Sequence, residues 1–170
     1  MTTNDELETM PGDGYSRIDP WVISQDTDAE IDFLRRVFGA EERGSRVLNE
    51  DGTVGHSEVE VAGSVLMLFD SGPDWPSLPS HLRVYVEDAR ETVEKAVACG
   101  ARVVTQPTEL AFGDLAARVR DPQGHLWWIF QRLEEVSPEE MGKRFADPSY
   151  QEGMAYVQKS LADELADGNP

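Results

Sequence analysis

The sequence is poor in cysteine and in long apolar runs, and each shortage excludes a class of protein. Its single cysteine, Cys99, excludes both a disulfide framework and a metal site built from several thiolates. No run approaches the ~18 consecutive apolar residues of a membrane-spanning helix, so we expect no membrane partner. Residues 1–13 lack the basic start and apolar stretch of a secretion signal, which predicts a cytoplasmic protein.

Basic residues are also scarce. Fifteen lysine and arginine residues stand against thirty-three aspartate and glutamate residues, which gives a formal net charge of −18. A surface of that charge repels the phosphate backbone of DNA and RNA, so we expect no nucleic-acid partner. Hydrophobic residues still make up 39% of the 170 residues, which is enough for a chain of this length to bury a core.

Turn-forming residues divide the chain into two halves of similar design. Each half has a strand, a helix and three further strands in that order, and a Gly-Ala pair follows each helix. This repetition predicts an α+β fold built from two βαβββ modules. The predicted division is a disordered lead-in over residues 1–16, a first module over 17–70, a linker over 71–80, a second module over 81–132 and a helical C-terminal extension over 133–170.

Local signals predict where the helices and strands lie. In the first module, Asp26 or Thr27 can cap a helix that runs to Phe38 and that Gly39 ends. The other predicted helices are 89–99, one from Pro138 to about Phe145, and 150–165. The predicted strands are 18–24, 43–49, 54–61, 64–69, 81–86, 102–105, 115–120 and 125–132.

Four runs of residues carry a resemblance to a known superfamily. They are Val37-Phe38-Gly39-Ala40-Glu41-Glu42, Asp51-Gly52-Thr53-Val54-Gly55-His56-Ser57-Glu58, His81-Leu82-Arg83-Val84-Tyr85-Val86-Glu87-Asp88 and Arg120-Asp121-Pro122-Gln123-Gly124-His125-Leu126-Trp127. In this order and spacing they resemble the vicinal oxygen chelate superfamily, which includes glyoxalase I, bleomycin-resistance proteins and extradiol dioxygenases. The Gly-His pairs, and Ser137-Pro138-Glu139-Glu140-Met141 behind them, are similar to its PhnB-like branch. The resemblance covers about residues 17–145.

The resemblance implies that a curved mixed sheet from both modules encloses a cavity. Enzymatic members of the superfamily hold a divalent metal ion there on four inward positions, which correspond here to Asp19, Met67, His81 and Trp128. His81 matches the usual ligands and Asp19 offers an oxygen. A hard divalent ion rejects the thioether of Met67, however, and the indole of Trp128 has only an N–H donor. We therefore expect no metal cofactor.

A displaced metal site at His56 and Glu58 is an alternative, since both lie on a nearby predicted strand. We favour the interpretation that these two side chains face solvent at a sheet edge.

Strand alternation extends the predicted cavity lining from the four mapped positions, because side chains two residues apart share a face. The predicted ligand-binding residues are Asp19, Trp21, Met67, Phe69, His81, Arg83, Tyr85, Arg118, Trp128 and Phe130. Arg118 and Arg120 share one face of their strand, and they either receive a carboxylate or phosphate together with Arg83 or are ordinary surface arginines. The competing interpretation of the aromatic residues is that they fill a collapsed cavity as core.

An aromatic cavity with few polar groups is typical of a site for a small molecule. The leading hypothesis is a metal-free binding protein for a small, partly aromatic or anionic molecule. Two alternatives stay open: a metal-dependent lyase, isomerase or dioxygenase with an atypical ligand set, and a metal-free enzyme with His81 as general base. We also expect a homodimer, because the apolar stripe of helix 150–165 needs a surface to cover it. That stripe is Met154, Val157, Leu161 and Leu165.

Overall fold

The computed structural model describes residues 11–12 and 14–166, and it shows nine strands and four helices within them. The predicted lead-in falls mainly on residues 1–10, which lie outside the described residues. The first module contains β1 (Trp21–Ser24), α1 (Thr27–Phe38), β2 (Glu41–Glu42), β3 (Val47–Leu48), β4 (Val54–Val61) and β5 (Ser64–Asp70). The second contains β6 (His81–Tyr85), α2 (Ala89–Ala98), β7 (Arg102–Glu109), β8 (Asp114–Arg120) and β9 (Leu126–Arg132), and α3 (Pro138–Ala146) and α4 (Pro148–Ala166) follow it.

The two modules have the same sheet topology. The first sheet has the order β1-β5-β4-β2, with β3 also paired to β4, and the second has the order β6-β9-β8-β7. In each module the strand that comes first along the chain, β1 or β6, pairs in parallel with the one that comes last, β5 or β9. The other neighbouring strands are antiparallel. The predicted α+β fold, with two mixed sheets and C-terminal helices, is thereby confirmed. The two sheets are separate and open.

The helices of both modules begin with the same device. Asp26 accepts a hydrogen bond from the backbone N–H of Ala29, and Asp88 accepts one from that of Glu91. At the other end of α1, Gly39 adopts a left-handed conformation with φ of 69°, which ends the helix as predicted. The caps are local features of the sequence, and they set the helix boundaries to within about one residue of the prediction.

Three predicted strands differ from the structure. The first begins at Trp21 and not at residue 18, because Pro20 immediately precedes it. The predicted strand 43–49 is replaced by the short strands β2 and β3, which a turn at Gly44 separates. β7 continues past Pro107 to Glu109. A proline is tolerated there because β7 is an edge strand and its register to β8 is irregular.

The main core lies between the two helices and one face of each sheet. Leu66 and Leu68 of β5 and Trp127 and Ile129 of β9 are buried in it, as strand alternation predicts. The helices contribute large apolar side chains such as Leu34, which is fully buried. Within residues 11–12 and 14–166, no helix combines the length and apolarity needed to cross a membrane.

A buried polar network joins the modules. His125 accepts a hydrogen bond at Nδ1 from the backbone N–H of Ser80, so its Nε2 carries the hydrogen and donates to Ser24 Oγ at 3.0 Å. Asp121 accepts from Trp127 Nε1 at 2.8 Å, and burial raises the pKa of Asp121. The carboxyl group of Glu30 is fully buried beside it, and burial together with Asp121 raises the pKa of Glu30 to about 9.

The raised pKa of Glu30 predicts how stability changes with pH. In the unfolded chain this carboxyl group ionises near pH 4.5, whereas in the folded protein it stays protonated up to about pH 9. Between these values the folded state binds the additional proton, so the free energy of unfolding falls as pH rises, by up to about 1.4 kcal/mol per pH unit. The test is to measure the free energy of unfolding by urea at several pH values from about pH 5 to pH 9. Glutamine is neutral at every pH, so we expect the Glu30→Gln variant to lack the part of the decline that Glu30 causes.

The matched control is Glu94→Gln, on the exposed side of α2, which should leave the pH dependence unchanged. A full decline in the Glu30→Gln variant would show that Glu30 does not hold a proton in the folded protein.

Candidate functional site

The residues predicted to line one cavity lie on two separate sheets. We call the sides of the sheets turned away from α1 and α2 the first face and the second face. The first face carries Trp21, Met67 and Phe69, and the second face carries His81, Arg83, Tyr85, Arg118, Trp128 and Phe130. Among the described residues, no aromatic ring of one face contacts a ring of the other.

The second face is aromatic and cationic along its open edge, strand β6. The guanidinium carbon of Arg83 lies 5.4 Å from the ring centre of Tyr85 and 5.7 Å from that of Phe130. The imidazole of His81 lies 6.4 Å from the ring of Trp128. Tyr85 is 42% exposed although its hydroxyl donates to Asp114 at 3.0 Å. These aromatic rings are therefore not all core, and part of the face is open to a ligand.

A cavity of about 340 Å³ brings together three of the predicted site residues. Asp19, Arg83 and Tyr85 line it, together with residues at the end of β4 and the start of β5. Leu82, Val84 and Trp127, from the core side of the second sheet, line it as well, so the cavity lies at the open edge of β6. Asp19 accepts a hydrogen bond from the backbone N–H of Ser16 at 3.0 Å, so its carboxylate is fixed at the cavity wall. The cavity thus lies where the two modules meet, and a cation and an aromatic ring stand at one side of it.

Helix α4 covers the other part of the second face. Its Val157 is buried against Leu110, Ala116 and Phe130. A Cβ atom added at Gly153 would come within 3.2 Å of Thr108, so this glycine lets α4 approach β7 closely. The extension therefore packs on its own domain through Val157, while Leu165 of its apolar stripe stays exposed.

Arg118 and Arg120 lie beneath α4 and are only 5% and 7% exposed, so the interpretation as ordinary surface arginines is wrong. Arg118 donates to Thr105 Oγ1 at 3.0 Å and to the carbonyl oxygen of Val157 at 2.9 Å. Its guanidinium carbon lies 3.7 Å from the ring centre of Trp128. Burial lowers the pKa of Arg118 from its ordinary value.

The carboxylate of Glu164 in α4 joins two arginines. Arg102 donates to both of its oxygens at 2.8 Å, and Arg120 Nε donates to one of them at 2.5 Å. These hydrogen bonds lower the pKa of Glu164 to about 2. Sequence reasoning missed Arg102 and Glu164, because they are 62 residues apart and no local pattern predicts where α4 docks.

The first face is smaller and more exposed. Trp21 is 50% exposed, and its ring lies 5.4 Å from Phe69 and 5.7 Å from His56 in edge contacts. Met67 stands between Trp21 and Glu58, since it pairs with both across the sheet. The thioether thus has an aromatic ring on one side and a carboxylate on the other.

His56 and Glu58 do not face solvent at a sheet edge, so the favoured interpretation is wrong. They lie on β4, in the interior of the first sheet, and more than half of each side chain is buried. His56 Nε2 lies 2.9 Å from one oxygen of Glu58, and the Tyr15 hydroxyl donates to the other at 2.7 Å. These hydrogen bonds lower the pKa of Glu58. The guanidinium of Arg43 lies over the Tyr15 ring and lines the same cavity of about 300 Å³.

Neither set of candidate metal ligands fits a divalent ion. Met67 and Trp128 offer no suitable donor atom at two of the four mapped positions. At the alternative site, both Glu58 oxygens are already hydrogen-bonded and Arg43 places a positive charge nearby. Over residues 11–12 and 14–166, no group of three or more His, Cys, Asp or Glu side chains is placed to hold a metal ion.

Comparison with protein families agrees with this architecture. The sequence model of the Glyoxalase/Bleomycin resistance protein/Dioxygenase superfamily matches residues 17–129. The chain belongs to this superfamily. Helices α3 and α4 lie beyond the matched residues, so the covering helix is an addition to the part that the superfamily shares.

Individual relatives support the same assignment. The uncharacterized protein Mb0911c of Mycobacterium bovis is 30% identical over 135 residues, which cover 73% of this chain and 88% of that one. The structure of TioX from Micromonospora sp. ML1 is 28% identical with a TM-score of 0.56, covering 68% of this chain and 98% of TioX. The fosfomycin resistance protein FosX from Listeria monocytogenes, complexed with Mn(II) and sulfate, is 18% identical with a TM-score of 0.51. That match covers 75% of this chain and 95% of FosX, and at this identity it shows the fold alone.

Proposed function

We propose that this protein binds a small, partly aromatic or anionic molecule at the second face and does so without a resident metal ion. The observation that carries the proposal is the cavity of about 340 Å³ lined by Asp19, Arg83 and Tyr85. Arg83 has no carboxylate partner among residues 14–166, and its guanidinium lies over two aromatic rings. An aromatic wall beside a cation that forms no direct ion pair suits a planar molecule that carries a negative charge.

Metal-free binding is supported by the donor chemistry of the mapped positions, where a thioether and an indole replace oxygen or imidazole ligands. A role for His81 as general base has less support, because among the described residues none hydrogen-bonds its ring. Binding, and not proton transfer, is therefore the activity we propose.

Two finer assignments rest on other observations. We assign the chain to the PhnB-like branch on its two Gly-His pairs, Gly55-His56 and Gly124-His125. A cytoplasmic location is proposed on the cysteine content, a single residue in the sequence.

The metal-free proposal predicts the result of elemental analysis. After dialysis against buffer without chelator, the purified protein should contain far less than one equivalent of zinc, nickel, iron or manganese per chain, since Asp19 and His81 alone do not hold an ion against water. Adding Mn²⁺ should also leave the melting temperature unchanged. One tightly held divalent ion per chain would contradict the proposal.

Ligand binding is tested with the matched pair benzoate and benzamide. Benzoate should quench tryptophan fluorescence saturably, since Trp128 stands beside Arg83 on the second face. Arg83→Met should weaken benzoate binding by about 1.5 kcal/mol, the low end for a hydrogen bond to a charged group, because Arg83 is exposed. Benzamide binding should change much less.

The control for this experiment is Arg90→Met, an exposed arginine on α2 that should leave both ligands unaffected. Equal benzoate affinity in the wild type and in Arg83→Met would show that the second face does not recognise anions through Arg83.

We further propose a two-fold homodimer with the C-terminal helices at or near its interface. Although α4 packs on its own sheet, large apolar side chains remain exposed on α3 and α4, namely Phe145, Tyr156 and Leu165. An isologous interface buries such side chains on both copies at once.

The dimer is tested by light scattering on the wild type and on the double variant Phe145→Glu, Leu165→Glu. The wild type should have twice the chain mass of 18.9 kDa, and the double variant should dissociate at least tenfold more readily. The control, Ile18→Glu, changes an exposed side chain outside the helices and should remain a dimer. A monomeric wild type, or a double variant of unchanged affinity, would contradict the proposal.

A further inference from the structure

Three arginines lie under helix α4 on the second face, and we call them the arginine cluster: Arg102, Arg118 and Arg120. They are neighbours across β7 and β8, since Arg102 pairs with Arg120 and Arg118 lies two residues away on the same side of its strand. Among the described residues, the carboxylate that pairs with the cluster is that of Glu164, which contacts Arg102 and Arg120. Arg118 and Arg120 are buried, whereas the side chain of Arg102 is 55% exposed.

Arg118 has no carboxylate partner in the described part of the chain. It is 5% exposed, and its Nε, which is buried, has no hydrogen-bond acceptor there. The indole Nε1 of Trp128, the residue directly opposite on β9, is likewise buried without an acceptor. Two adjacent buried donors without acceptors cost free energy in the folded protein. A group with several acceptor oxygens would satisfy both.

Glu164 binds the arginine cluster as the carboxylate of a ligand would. Arg102 donates through both terminal nitrogens to its two oxygens, the forked geometry by which arginine recognises carboxylates and phosphates. Arg120 adds a third hydrogen bond to this carboxylate and is itself held by the carbonyl oxygen of Gly124. The arginines are therefore already positioned for an anion.

The attachment of α4 combines polar and apolar contacts. Val157 and Glu164 are the residues of α4 that are buried, and α3, which connects it to the second module, has no buried residue. The remaining contacts include hydrogen bonds from Arg118 to Val157 and between Thr105 and Ser160. Val157 also packs with Leu110, Ala116 and Phe130, and this apolar contact opposes release of α4.

We propose that the arginine cluster is a binding site for a carboxylate or phosphate group, and that Glu164 occupies this site as an intramolecular competitor. The inference deepens the proposed function, on which it rests for the anionic character of the ligand. It adds to Arg83 a second subsite for an anionic group, under α4 and beside Trp128, and it makes α4 a cover that moves when that group binds.

The test uses inorganic phosphate as the probe and the full-length chain. Calorimetric titration should show that Glu164→Gln binds phosphate at least tenfold more tightly than the wild type, because the competing charge is gone. Adding Arg102→Met to Glu164→Gln should abolish the gain. The matched control, Asp163→Asn, removes a neighbouring carboxylate that pairs with Lys159 on the outer side of α4, and it should bind phosphate like the wild type.

Hydrogen exchange on the wild type gives a second measurement that does not depend on the folding of any variant. Phosphate should increase exchange of the α4 amides above the level produced by sodium chloride of equal ionic strength, since only a specific competitor displaces Glu164. Equal effects of the two salts would overturn the proposal and leave Glu164 as a structural ion pair. Unchanged phosphate affinity in a folded Glu164→Gln would overturn it as well.

Failure of the cluster and failure of the second-face proposal are distinguishable. Suppose that Arg83→Met does not weaken benzoate binding while Glu164→Gln still binds phosphate more tightly than the wild type. Only the proposed role of Arg83 would then be rejected. The reverse result would reject the arginine cluster alone.

Discussion

The carboxylate of Asp121 fixes the arrangement on which the second face depends. It accepts hydrogen bonds from the backbone of Gln123 and His125 and from the indole of Trp127, all within one turn and the start of β9. Trp127 is thereby held in the core, and because side chains alternate along a strand, Trp128 must lie on the opposite side. A register shift of one residue would exchange the two tryptophans and would remove the ring on which Arg118 stacks.

The sequence predicts the local features of this fold well and the long-range ones poorly. Helix caps at Asp26 and Asp88, and the alternation that buries Trp127, follow from interactions between residues close in the chain. The docking of α4 does not, because Arg102 and Glu164 attract each other only after the whole second sheet has formed. The same limit explains why a single cavity was predicted: alternation determines which side of a strand a residue occupies, but not which sheets face each other.

Electrostatics explains how an acidic protein could present the anion site that we propose. The net charge of −18 is a property of the whole sequence, whereas Arg83 and the arginine cluster are concentrated on one face of one sheet. Buried charges interact more strongly and are screened less by salt than exposed ones, so around the buried Arg118 and Arg120 the local arrangement outweighs the distant carboxylates. The acidic surface instead favours solubility and disfavours nucleic-acid partners.

Membership of the superfamily accounts for the two sheets, but it does not determine the chemistry of the side chains on them. At the positions where relatives can place metal ligands, this chain has Met67 and Trp128, and beyond the shared residues it adds α4. The two changes act in the same place, because Trp128 carries the guanidinium of Arg118, and Arg118 in turn holds the backbone of α4 at Val157. Trp128 thus provides the surface on which a buried arginine stacks, and that arginine in turn contacts the C-terminal helix.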